Sequence, residues 1–177
     1  HNYQNLLAAY VSGYILNQPK TKFLESLSSL DNLEHRIEFL GKFKNLYFYN
    51  DSKSTNVDSA ITAIKSFKNI FWILGGREKK GGIRGIENSL NNILKAYCYG
   101  ESGKKIKNFL TNNFVDCEEF STLKESTKKA FNDALKLDKT VNILLSPACS
   151  SFDQFENFQD RGEQFAKIVK EYIETHE

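Results

Sequence analysis

The chain has 177 residues, enough for one substantial core and short for two independent domains. Its formal charge is only +2, with lysines scattered among acidic residues, so it lacks the basic stripe that binding to a phosphate backbone requires and no nucleic-acid partner is expected. Cys98, Cys117 and Cys149 form no CxxC or Cys/His cluster and make a poor disulfide framework, which fits a reducing cytoplasm; no apolar run is long enough to cross a bilayer, so no membrane partner is expected.

The sequence contains no Met and opens on His1-Asn2-Tyr3-Gln4-Asn5, which runs straight into an apolar helical pattern; it reads as a piece of a longer protein. The first helix is expected over residues 5–16, ended at Gln18-Pro19 because proline disfavours a helical predecessor, and a short helix over 21–28 follows. The polar stretch 18–21 is the expected boundary. Residues 37–40 and 46–49 are rich in β-branched or aromatic side chains and predict neighbouring strands across Gly41-Lys42-Phe43-Lys44.

Beyond Asn50 the period changes: Val57, Ala60, Ile61, Ile64 and Phe67 share one helical face, and 70–74 is a continuous apolar run ended by Gly75-Gly76. The alternation repeats, with helices near 86–95, 104–110 and 124–135, strands at 96–99, 114–117 and 141–145, and a closing helix near 165–173. This predicts an α/β fold: a three-layer, Rossmann-like domain with a mostly parallel sheet of about six strands and helices on both faces.

In such a sheet ligands gather beyond the carboxyl ends of the strands, so the chemistry is sought in the loops that follow them. After strand 46–49 comes Asn50-Asp51-Ser52-Lys53-Ser54-Thr55-Asn56, far more polar than a simple turn needs. Thr55 or Asn56 can be the N-cap of the next helix and Asp51 can stabilise the turn, but Lys53 opposes the helix dipole unless an anion lies between them. After strand 70–74 comes Gly75-Gly76-Arg77-Glu78-Lys79-Lys80-Gly81-Gly82, a flexible basic loop with neither a Walker A nor a GxGxxG pattern. After strand 141–145, Ser146-Pro147-Ala148-Cys149-Ser150-Ser151-Phe152-Asp153-Gln154-Phe155 combines small hydroxylic residues with aromatics; Cys149 has no His/Asp arrangement beside it and reads as structural. His35-Arg36 reads equally as a surface pair or a nucleotide contact.

Together the loops resemble the C-terminal domain of the Mur ligases, and within that family the branch that adds D-glutamate. The pieces stand in the family's order over nearly the whole chain: His1-Asn2 with Asn5, Glu34-His35-Arg36-Ile37-Glu38, the Asn50 to Asn56 run, Gly75-Gly76 with Lys79, and Ser146 to Phe155 continued by Asn157-Phe158 and Arg161-Gly162. The sister ligases resemble one another in ending the first of these loops in Pro, which is absent here, and do not carry Lys where Lys53 stands.

The resemblance implies an ATP-dependent, amide-forming ligase of cytoplasmic peptidoglycan precursor synthesis. ATP phosphorylates the carboxylate of UDP-N-acetylmuramoyl-L-alanine, and the amine of D-glutamate attacks the acyl phosphate. By carry-over, Thr55, Lys79, Ser151 and Phe158 would bind D-glutamate, with Lys80 the alternative to Lys79 because the loop 77–82 has an apparent extra residue. Asn5, His35, Arg36, Asp51 and Lys53 would serve the nucleotide, Asn5 at its adenine. Lys53 would also be catalytic by stabilising charge on the acyl-phosphate oxygens, and His1 and Asn2 would hold the adenine-side motif. ATP and Mg²⁺ are the implied cofactors, bound mainly by an ATPase domain whose P-loop and metal ligands this sequence does not contain. Residues 1–18 would then be the tail helix of that domain and 19–177 the amino-acid-binding domain, inactive alone and monomeric. Two alternatives stand beside this reading: a non-catalytic Rossmann-like module that binds a nucleotide or a protein, and a related amide ligase with another amino-acid substrate.

Overall fold

The structure is a computed structural model, and it describes residues 2–28 and 33–176. His1 lies outside the described residues. The chain divides into two compact units, His1–Leu33 and Glu34–Glu177. The first unit holds helices α1 (Asn2–Ile15) and α2 (Lys20–Ser28), with the rings of Tyr10 and Phe23 edge to face at 5.2 Å. Asn5 is exposed on α1.

The second unit is built on β1 (Glu38–Phe43), β2 (Leu46–Asn50), β3 (Ile70–Gly75), β4 (Ile93–Tyr99), β5 (Cys117–Phe120) and β6 (Val141–Leu145). They form one six-stranded sheet in the order β1-β2-β6-β3-β4-β5, antiparallel only between β1 and β2. The β1–β2 turn is tighter than expected, since Phe43 is still in the strand and pairs with Leu46.

Successive side chains alternate between faces, so each central strand feeds two cores. Ile70, Trp72 and Leu74 of β3 pack on one face with α3 (Val57–Lys65) and α4 (Gly103–Asn112). Phe71 and Ile73 pack on the other with α5 (Leu123–Ala134) and α6 (Phe158–His176). All six residues of β3 are buried, as an apolar run flanked by parallel neighbours and covered on both faces should be. The expected three-layer arrangement is present.

Two expected elements shift. The helix expected near 86–95 is a 3-10 turn, Glu87–Asn92, and Ile93 to Lys95 already belong to β4. Ile93 and Leu94 pack into opposite cores, an alternation that three residues of sequence cannot separate from a helical period. The strand expected at 114–117 lies at Cys117–Phe120 instead. Phe114 is a solvent-exposed turn residue with φ 62°, and the strand tolerates Glu118 and Glu119 because β5 is an edge.

This topology fixes where a ligand can sit. β2 and β6 are neighbours, yet the helix after β2, α3, covers one face and the helix after β6, α6, covers the other. In an open sheet the loops leaving the carboxyl ends at such a point are where ligands bind, and the loop after β3 leaves the strand next to β6.

Candidate functional site

The loop 51–56 has a buried root and an exposed rim. Asp51 is 4% exposed and Ser52 is fully buried, whereas Lys53 is exposed and Thr55 half-buried. The Asp51 N–H donates to Leu145 O on β6 (2.7 Å); its Oδ2 accepts from Ser146 Oγ (2.8 Å) and its Oδ1 from the Ile37 N–H (3.3 Å). Ser146 O in turn accepts from Trp72 Nε1 (2.8 Å), so the carboxylate is tied through one serine to the central strand. Burial pushes the Asp51 carboxyl up to about 6, against the pull of the Ser146 hydroxyl and the Ile37 N–H.

The segment entering β1 is fastened to the same loop. Lys53 N–H donates to His35 O (3.0 Å), and Asn50 Nδ2 donates to His35 Nδ1 (2.9 Å), Glu38 Oε2 (3.0 Å) and Gly162 O (3.3 Å). An amide nitrogen only donates, so His35 Nδ1 is the acceptor in this contact. His35 is buried and so is not half of a surface pair, while its neighbour Arg36 is exposed. His35 and Ile37 both take positive φ, at 61° and 48°, a conformation held by these bonds on either side. Gly162 is required here: a Cβ on it would stand 2.3 Å from His35 Nδ1.

A second tie comes from α6. Arg161 is fully buried, and its guanidinium donates from Nε to Ser52 Oγ (2.9 Å), from one terminal nitrogen to Ser52 O (2.9 Å) and from the other to Cys149 O (3.1 Å). Ser52 Oγ donates onward to Phe158 O at the start of α6 (2.7 Å). One side chain thus joins the loop after β2, the loop after β6 and the helix that follows. The basic loop is joined by main chain, with Arg77 and Ser150 exchanging two bonds (2.9 and 3.0 Å) and Gly75 N–H donating to Pro147 O (3.1 Å). Gly76 sits so close to Ser150 O that a Cβ would come within 2.3 Å of it, which the sequence shows only as a glycine pair.

On the rim, Lys79 Nζ donates to Thr55 Oγ1 (3.4 Å), and the Lys53 ammonium stands 4.0 Å from the centroid of the Phe158 ring. Asn56, not Thr55, caps α3, its Oδ1 accepting from the Ser59 N–H (3.0 Å), so the Thr55 hydroxyl is not taken up by the helix end. Lys80 is exposed on the same loop, and Ser151 is buried at the first turn after β6. Cys149 is fully buried, and its thiol is pushed up to about 11, chiefly by burial, which suits a packing residue and not a nucleophile.

The unit thus places His35, Arg36, Asp51, Lys53, Thr55, Lys79, Ser151 and Phe158 on segments joined by these bonds, while Asn5 lies in the other compact unit. Four residues outside that set build the site from beneath: Asn50, Ser52, Ser146 and Arg161. Arg161 had a visible signal, since it shares the α6 face of Phe165, Ile168 and Val169, and a lone arginine inside an apolar stripe needs buried acceptors.

No family model matches the chain. A UDP-N-acetylmuramoylalanine–D-glutamate ligase of Rickettsia prowazekii is 43% identical over 175 residues, covering 97% of this chain and 39% of its own length. The chain is similar in sequence to such ligases over part of their length. The ligase of the same name from Wolbachia pipientis wMel is 40% identical over 99% of the chain and 34% of its own, and that of Caulobacter vibrioides 37% identical over 96% and 36%. The chain therefore spans about two fifths or less of the curated relatives it matches. Among solved structures, the UDP-N-acetylmuramate-alanine ligase of Thermotoga maritima superposes with TM-score 0.68 at 16% identity over 97% of this chain and 38% of its own, and a murein peptide ligase of Psychrobacter arcticus with 0.55 at 13% over 94% and 37%; at these identities the likeness is one of fold.

Proposed function

We propose that this chain is the amino-acid-binding, C-terminal part of a Mur ligase that adds D-glutamate to UDP-N-acetylmuramoyl-L-alanine, with residues 19–177 as that domain and residues 1–18 as the tail helix of a preceding ATPase domain. The observation that carries the reading is the meeting of Lys79 with Thr55 on the rim where Lys53 also stands, in a chain 43% identical to a D-glutamate ligase. D-Glutamate is a dianion with an ammonium group. Its carboxylates require fixed cations and hydroxyl or backbone donors, and Lys79, Thr55, Ser151 and the main chain at Phe158 supply them. Because Lys79 and not Lys80 reaches Thr55, Lys79 is assigned as the substrate lysine.

On this reading the nucleotide is served by Arg36, Asp51, Lys53 and Asn5, with His35 acting through the backbone it holds. ATP transfers its terminal phosphoryl group to the carboxylate of UDP-N-acetylmuramoyl-L-alanine, giving an acyl phosphate and ADP. The D-glutamate amine attacks the acyl carbon, phosphate leaves, and an amide remains. Lys53 stabilises the charge on the phosphoryl oxygens. Mg²⁺ would travel with the nucleotide phosphates, bound mainly by a domain beyond this chain; a bifunctional folylpolyglutamate synthase/dihydrofolate synthase of like fold (TM-score 0.55) is described as complexed with AMPPNP and a Mn ion. Closure of this domain over the ATPase domain beyond the chain would exclude water from the acyl phosphate. Among the described residues no helix is long and apolar enough to cross a membrane.

The test is a full-length enzyme containing this chain, assayed for phosphate release dependent on D-glutamate. Lys53→Ala and Thr55→Ala should each lower the rate by about a hundredfold or more. Near-normal rates in both would remove the assigned site, and preference for a diamino acid over D-glutamate would change the substrate.

A further inference from the structure

We propose that the ring of Phe158 is a resting place for the Lys53 ammonium, and that an arriving phosphate group draws the lysine off it, so that Phe158 positions Lys53 before the anion binds. Four cation–ring contacts occur among the described residues, and this is the shortest, at 4.0 Å against 5.1, 5.1 and 5.7 Å. Both partners are anchored at their backbones. Lys53 N–H is bound to His35 O (3.0 Å), while Phe158 O accepts from Ser52 Oγ (2.7 Å) and the Phe158 ring meets the His35 ring edge-on at 6.3 Å. Only the four-carbon stem of the lysine is free to move.

Physical chemistry favours such an arrangement. Lys53 lies just before the N-terminus of α3, where the helix dipole repels a cation, and the ion pairs of the described residues do not include it. The negative face of an aromatic ring offsets that repulsion without introducing a carboxylate, which would compete with an anionic ligand for the lysine. An exposed cation–π contact is weaker than a charge-assisted hydrogen bond to phosphate, so the ring orients the ammonium and then yields it. The inference rests on the ligase reading only for the source of the phosphate.

The test uses the 177-residue chain and inorganic phosphate at constant ionic strength, with the Lys53 side chain followed by NMR. In the wild type, ring current should displace the Lys53 ε-methylene signals upfield. Phe158→Leu should return them to ordinary lysine positions, and Phe158→Tyr should keep them upfield. Phosphate should move the wild-type signals toward ordinary positions, and Phe158→Leu should bind phosphate about two- to fivefold more tightly, because the competing contact is gone. Ordinary wild-type positions, signals that stay upfield throughout the titration, or equal phosphate affinity in Phe158→Leu would each overturn the proposal. If the full-length enzyme ignored D-glutamate while these shifts behaved as expected, the substrate assignment would fail and the resting place would stand.

Discussion

Asp51→Asn should stabilise the protein at neutral pH and leave it unchanged near pH 4. In the fold, burial raises the Asp51 carboxyl from an ordinary 3.8 to about 6, so the native state holds a proton that the unfolded chain releases earlier. The stability that goes with this proton is fully present below pH 3.8 and is lost as the pH rises through 6. At about 1.4 kcal/mol per pH unit between the two values, the loss comes to about 3 kcal/mol by pH 7. Asparagine has the shape of the protonated acid and keeps its contacts: Oδ1 can accept from the Ile37 N–H, and Nδ2 can donate to Ser146 Oγ, whose hydroxyl turns to accept. Urea denaturation of both proteins at half-unit steps from pH 4 to pH 8 measures the difference. It should open from near zero to about 3 kcal/mol in favour of Asp51→Asn, with its midpoint between the two carboxyl values. Parallel pH profiles would refute the reasoning, since they would mean that the carboxylate is no costlier in its pocket than in water.

Two further changes probe the ties beneath the rim. Arg161→Met leaves the carbonyls of Ser52 and Cys149 without the donors they have here, and at about 1–3 kcal/mol for each orphaned acceptor, reduced by the release of a buried charge, urea denaturation should show a loss of about 2–4 kcal/mol. Gly162→Ala should force its new methyl group against His35 Nδ1, which Asn50 holds in place; the His35 ring signals should shift and thermal unfolding should show a loss of about 1–3 kcal/mol, whereas the same change at Gly81, where a Cβ meets nothing within 4 Å, should disturb no neighbouring side chain.

The frame of this fold was legible because local pattern and tertiary role coincide along it. The run 70–74 is apolar on both faces because β3 is the central strand, and Gly75 ends it where a Cβ would strike the Tyr99 carbonyl. Legibility failed at β5, where an edge strand carries Glu118 and its charge is met by Lys95 (2.6 Å) and Lys129 (3.2 Å) from elsewhere in the chain. At the rim, the sequence marked Lys53 as a cation set against a helix dipole, and in the fold the Phe158 ring stands beside it. The supports were not legible. Asn50 to Gly162, Ser52 to Arg161 and Asp51 to Ser146 bridge 112, 109 and 95 residues, so no local window contains both halves of any of these bonds.

That separation also bears on what the site can do. Three groups on the rim are each followed down their own backbone by a bond to a different element: Lys53 to the β1 entry, Thr55 through Ser52 to α6, and Lys79 through Arg77 to the loop after β6. Fixing long polar side chains on a flexible loop would cost a further ~0.5–1.5 kcal/mol for each side chain ordered on binding. Here the backbone is already held, and two of the three groups rest on a neighbour within the rim itself, Lys79 on Thr55 and Lys53 on Phe158. The remaining freedom lies in lysine stems, which can adjust to a ligand without moving the main chain. On the proposed reading, a substrate with two carboxylates and an incoming phosphate would be met in turn by one set of loops, with Lys53 changing partner while the loops themselves stay in place.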